Sequence, residues 1–217
     1  MAGIFYTYAR RKHVKIKIRD YRYTPEDVDC DFCALYQPEA GVTTDCCPFL
    51  RERLEAGVVG YQEAVRGAVK PNPRLRRRLN RLIAAYPSTF WVSPEHKRRM
   101  EWTKAVNRYR PNANEYYAAM YLLTANDALY RHTWSCFVTK GIDFRKARLK
   151  GISPHNYALF IAAKGVYTGT NLIPAEDLAD REIVDDQAFR LMVNARLIEK
   201  FGLAALSIHT RFAARGR

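Results

Sequence analysis

Residues Arg74-Leu75-Arg76-Arg77-Arg78-Leu79-Asn80-Arg81-Leu82-Ile83 place two chemistries on one helical spacing. Leu75, Leu79, Leu82 and Ile83 recur at intervals of three and four and line one face of an α-helix, while Arg74, Arg77, Arg78 and Arg81 fall on the other. One face is expected to pack and the other to form a row of guanidinium groups. Three consecutive arginines, Arg76 to Arg78, exceed what solubility requires, so the row points to a polyanionic partner.

Downstream, Ser93-Pro94-Glu95 starts a second basic helix carrying Lys97, Arg98, Arg99, Lys104 and Arg108, with Met100, Trp102 and Val106 on the side expected to reach the core. The C-terminal half is more neutral and more apolar. Tyr116 to Thr124, Ala128 to Val138, Tyr157 to Val166 and Ala188 to Phe201 all have helical patterns; Ser153-Pro154 starts the third and Gly202 stops the fourth. Leu203 to Ile208 reads as a short last strand.

Upstream, the pattern changes. Phe5, Tyr6 and Tyr8, then Val14, Ile16 and Ile18 alternating with Lys15, Lys17 and Arg19, have the period-two signature of a β-hairpin. Thr24-Pro25-Glu26-Asp27 opens a helical turn that delivers Cys30, and Pro48 opens a short helix that Gly57 ends. Another helix spans about Gly60 to Val69. Lys70-Pro71-Asn72-Pro73 then separates a module over residues 1–70 from the basic helices and helical core of residues 71–217. The expected fold is therefore mainly α with a small N-terminal β-hairpin, an α+β chain.

Four cysteines, Cys30-x2-Cys33-x12-Cys46-Cys47-Pro48, lie in the first module. The first pair has knuckle spacing and the second precedes a helix start, where thiolates are favoured; four soft ligands predict one structural Zn2+. Adjacent side chains diverge in extended backbone, so Cys46 and Cys47 reach one ion only across a sharp turn. Otherwise one of them is a free thiol, and Asp29, Asp45 or His13 is the fourth ligand. Cys136, beside Trp134 and Phe137, reads as core.

Charge sharpens the functional reading. The chain has 36 Lys and Arg against 22 Asp and Glu, a net +14; Arg66 to Arg110 alone holds 13 basic and 2 acidic residues, so +11 of the +14. No apolar run spans a membrane and the N-terminus lacks a signal-peptide core, which points to the cytosol and thus to metal-bound rather than disulfide-bonded cysteines. No P-loop, dinucleotide fingerprint, His-Glu-x-x-His, Gly-x-Ser-x-Gly or zinc-deaminase pattern occurs. His96, His132 and His155 are isolated, and the acids around Asp185-Asp186 read as a helix start. A non-enzymatic protein is expected. Tyr21, Tyr23, Tyr109, Tyr116, Tyr117 and Tyr121 suit base stacking and ordinary packing equally.

Tyr21-Arg22-Tyr23-Thr24-Pro25-Glu26-Asp27-Val28-Asp29-Cys30, Cys47-Pro48-Phe49-Leu50, Gly57-Val58-Val59 and Tyr116-Tyr117-Ala118-Ala119-Met120-Tyr121-Leu122-Leu123 resemble segments of a family of small proteins on conjugative and phage-like elements of gut Gram-positive bacteria. Where that family carries a separate cysteine some residues before Cys-Pro, this chain has Val42 and gains Cys46. Such elements collect proteins that defeat host defences, and some zinc-containing Cas9 inhibitors are similar in size. The resemblance implies an anti-CRISPR protein that binds Cas9 or its guide RNA complex and obstructs guide or target nucleic acid. The alternative is a DNA- or RNA-binding accessory protein of the element, contacting phosphates through Arg74 to Arg81 and Lys97 to Arg110.

Overall fold

The computed structural model describes residues 22–30, 33, 35, 47–70, 72–107 and 113–208. The predicted hairpin over residues 5–19, together with Cys46, Arg108, His13, Asp45, Tyr21 and Tyr109, lies outside the described residues. Within them the chain is mainly helical, as its periodicity predicts: α1 Leu50–Glu55, α2 Tyr61–Ala68, α3 Pro73–Ala84, α4 Pro94–Val106, α5 Asn114–Leu123, α6 Asp127–Thr133, α7 Pro154–Thr168, α8 Ala175–Ala179 and α9 Asp186–Phe201. A 3-10 turn, Pro25–Val28, precedes them. None of the described helices is long and apolar enough to cross a membrane.

Local chemistry sets the helix ends. Ser93, Asn126, Ser153 and Asp185 each accept a backbone N–H of the first turn they cap, which satisfies a donor that the helix leaves unpaired. Pro73, Pro94 and Pro154 occupy first-turn positions where no N–H is needed. Gly169 and Gly202 end α7 and α9 at φ +70° and +75°, a region that a side chain disfavours.

The core is built around α5 and α9. All seven residues from Ala118 to Thr124 in and after α5 are fully or nearly fully buried, and this helix packs against α7 and α9. An apolar surface on every side is what a central helix requires. The apolar cluster runs from Leu50 to Ile208, so residues on both sides of Pro71 contribute to it. At its centre Tyr61 donates to Asn194 (2.8 Å), Asn194 donates to Tyr121 (3.2 Å), and Tyr121 donates to the Phe90 carbonyl, so each buried hydroxyl has a partner. Tyr61 also stacks on Tyr86 with ring centroids 3.6 Å apart. Tyr116 and Tyr121, which left stacking and packing open, are buried packing residues.

Two predicted elements differ. The helix expected over Ala128 to Val138 stops at Thr133, continues as a 3-10 turn Trp134–Cys136, and gives way to a ribbon of β1 Phe137–Val138 and β2 Gly141–Ile142. Phe137 pairs with Ile142 and Val138 with Gly141, leaving Thr139-Lys140 as a two-residue turn. Gly141, at φ +138°, permits that turn, and the β-branched Val138 and Ile142 favour pairing over helix. The strand expected over Leu203 to Ile208 is a 3-10 helix, Gly202–Ser207. Its buried Gly202, Ala205 and Ile208 recur every three residues, the 3-10 period, and its alanines add little strand preference.

Candidate nucleic-acid interface

The two basic helices differ in what their cations touch. In α3 the inward stripe includes Arg78 as well as Leu75, Leu79 and Leu82. Arg78 is only 4% exposed. Its Nη1 donates to the carbonyls of Leu178 (2.7 Å) and Asp180 (3.2 Å), its Nη2 to the Val184 carbonyl and to Asp186 (3.2 Å), and the guanidinium lies over the Phe189 ring. Burial lowers its pKa, opposed by Asp186. Arg78 therefore clamps the α8–α9 connection to α3 and leaves the expected partner-facing row. Its assignment to that row is corrected: a planar five-donor group satisfies carbonyls that no leucine there could satisfy.

Arg74 pairs with Glu176 at the surface. Arg76, Arg77 and Arg81 are exposed and have no carboxylate partner among the described residues. With Asn80 they form the outer face of α3, about half a turn away from Leu75 and Leu79.

In α4 the predicted cations are engaged. Lys97 reaches Glu101 (3.9 Å), and Arg98 pairs with Glu95 (2.7 Å). Arg99 donates to the Thr124 and Ala125 carbonyls at 2.9 and 3.0 Å, closing the C-terminal end of α5. Lys104 lies 6.0 Å over the Tyr117 ring. The inward stripe is His96, Met100 and Thr103, so Trp102 and Val106, expected in the core, are instead more than half exposed. Trp102 lies well round the helix from that stripe, and Val106, three residues after Thr103, is the last residue of the helix.

His96 is a core residue. Its Nε2 donates to the Tyr121 carbonyl (2.9 Å) and its Nδ1 accepts the Val92 N–H (3.4 Å), so the neutral ring is satisfied at both nitrogens. Burial pulls its pKa down to about 4, against the effect of the Tyr121 hydrogen bond. Asp185, from the acidic run, caps α9 and pairs with His155.

In the cysteine region, the Cys33 N–H donates to the Cys30 carbonyl (3.1 Å), a turn of knuckle type, and the Cys47 carbonyl accepts from Leu50 at the start of α1. Cys30, Cys33 and Cys47 are half-buried free thiols. Burial raises the Cys30 pKa, and the Arg53 guanidinium opposes this. Arg53 is itself buried and paired with Glu63. Soft thiol donors beside a fixed cation suit Zn2+ chemically. Among the described residues no three potential ligands are gathered closely enough to hold a metal ion. Cys136 is buried, with its pKa pushed up to about 11 by burial, and is core as expected.

A second basic surface escaped the sequence-based reading. Between Arg131 and Lys150 stand Arg131, Lys140, Arg145, Lys146, Arg148 and Lys150 against Asp143. The segment closes on itself: the Arg148 N–H donates to the His132 carbonyl (2.9 Å), the Asp143 N–H to Cys136 (2.8 Å), and Ser135 Oγ to Lys146 (2.9 Å). Trp134 stands on this knuckle, 60% exposed. Its helical pattern hid it, because a tryptophan within an apolar run reads as core.

Comparison with protein-family models, curated proteins and solved structures finds no match to this chain.

Proposed function

We propose that this protein is a non-enzymatic nucleic-acid-binding protein whose contact face is the outside of α3. The supporting observation is the row Arg76, Arg77 and Arg81, exposed on one helix face with no carboxylate partner among the described residues. Unpaired cations on a fixed spacing can neutralise successive phosphates, whereas cations already bonded to carboxylates gain little by exchanging them. The test is a retention or anisotropy shift with DNA or RNA alone, weakening steeply as salt rises. Absence of any shift at low salt would refute the reading.

A narrower reading follows from the segment resemblance: an anti-CRISPR protein that uses this face to obstruct the guide or target strand of a type II Cas9 complex. It predicts stable co-elution with the effector–guide complex and loss of target cleavage. Inert behaviour towards several type II effectors, with nucleic-acid binding intact, would leave the broader reading alone standing.

The cysteine region has a structural role in the same proposal. Cys30, Cys33, Cys46 and Cys47 would hold one Zn2+, which supplies a cross-link between the N-terminal turn and α1. The turn that returns Cys33 to Cys30 and the place of Cys47 at the start of α1 support this. Freshly purified protein is expected to contain about one equivalent of zinc, and less than about half an equivalent would refute the site.

A further inference from the structure

We propose that Trp134 is a stacking platform for an unpaired base, with Lys146 and Arg148 holding the neighbouring phosphates. The knuckle would then recognise single-stranded rather than duplex nucleic acid. The inference rests on the nucleic-acid reading above and narrows it.

Three observations support it. The first is exposure: Trp134 presents the most exposed large apolar side chain among the described residues, on a surface otherwise dominated by cations. The second is rigidity. The backbone hydrogen bonds Arg148–His132 and Asp143–Cys136, with the Ser135 hydroxyl donating to the Lys146 carbonyl, close the segment on both sides of the ring, so little ordering is left for binding to impose. His132 Nδ1 also meets the Arg148 carbonyl, a second tie between the same two residues.

The third observation is the distribution of charge. Arg131 is held by Asp127 and Arg145 by Asp143. Lys146 and Arg148 have no carboxylate partner among the described residues, and the same hydrogen bonds that close the loop place their backbones beside residues 135 and 132. An exposed ring in a loop whose Lys146 and Arg148 have no carboxylate partner among the described residues offers the two halves that a nucleotide needs, an aromatic face and a cation for the phosphate. In a duplex the base faces are already stacked, so only an unpaired base can use the ring. The outer face of α3 differs here, since it carries arginines and no exposed ring and can follow the backbone of either form.

Binding of a labelled oligothymidine strand of about 20 nucleotides, and of a duplex of equal length, to the full chain tests the proposal. Trp134→Ala is expected to lower single-strand affinity about tenfold and leave duplex affinity within about twofold, while Trp134→Phe keeps most of the single-strand affinity. Unchanged single-strand affinity in Trp134→Ala, with duplex binding intact, overturns this inference and leaves the α3 reading standing. Equal losses for strand and duplex also overturn it, because the ring would then not discriminate. A protein partner lost from Trp134→Ala at unchanged single-strand affinity overturns it in favour of a protein anchor. If the wild-type chain binds neither nucleic acid, the broader reading fails first.

Discussion

Helices α3 and α4 carry nearly the same cationic composition, five arginines in one and two lysines with two arginines in the other, yet they use it in opposite ways. In α4 every cation has a partner: Glu101, Glu95, two carbonyls of the α5 terminus, or the Tyr117 ring. In α3 one arginine is buried as a clamp, one is paired, and three have no carboxylate partner among the described residues. Formal charge along a sequence is therefore a poor measure of the charge a partner meets. Acidic residues on the same helix, and carbonyls reached in three dimensions, decide how much is left.

The largest effect expected from this contrast is on stability within α3 itself. Arg78→Leu removes the partner of three carbonyls and of Asp186, and should lower unfolding free energy by about 3 kcal/mol or more. Arg78→Lys should recover little, because an ammonium cannot reproduce the fork. Arg77→Ala, one residue away, should stay within about 0.5 kcal/mol. Urea denaturation of the three variants checks this; equal effects at positions 77 and 78 would erase the distinction between the two faces.

The inner face of α4 makes a prediction in pH. His96 has a pKa near 4 in the folded chain against 6.5 ordinarily. Between those values the unfolded chain binds more protons, so stability rises with pH across the window. The contribution of the neutral ring is fully present above about pH 6.5 and is lost as pH falls towards 4, amounting to about 3 kcal/mol. A His96→Gln variant, less stable at neutral pH, should show a flatter acid limb in the same range. An unchanged slope would mean that His96 is not the titrating group.

How far each feature was legible in the sequence follows from the distance over which it is determined. Ser93, Ser153 and Asp185 act on backbone N–H groups three residues away, and the helix starts they mark are where the pattern put them. Arg78 is the opposite case. Its acceptors lie a hundred or more positions along the chain, so although it stands three residues after Leu75 and four before Leu82, nothing local shows that a guanidinium on the leucine stripe finds partners inside. Trp102 and Val106 were misplaced for a related reason: α4 buries a histidine and a threonine, residues that hydropathy does not mark as core. The Trp134 knuckle was hidden by the continuous helical pattern, which carries no trace of the hydrogen bonds that close it. For the zinc proposal the spacing remains the main argument, and its electrostatic neighbour Arg53 emerges only in three dimensions.

Smaller effects separate the helices in binding. Alanine at Arg76, Arg77 and Arg81 together should lower duplex affinity by about tenfold or more at low salt, whereas alanine at Lys97 and Arg98 should change it by about twofold at most. The least effect is expected from the reverse operation. Removing Glu95 and Glu101 frees Arg98 and Lys97, and should raise affinity by about twofold. Comparable losses from both sets of cations would show that intrahelical pairing in α4 does not withhold charge from a partner.

The salt dependence of duplex binding measures free cations most directly. Each arginine that neutralises a phosphate contributes about 0.9 to the slope of log affinity against log salt. The wild-type chain should bind with a steep slope, and the Arg76, Arg77 and Arg81 triple variant with one shallower by about 2.7, while the Lys97 and Arg98 variant keeps the wild-type slope. A slope unchanged in the triple variant, or binding indifferent to salt in the wild type, would contradict the assignment of the outer face of α3 as the contact surface.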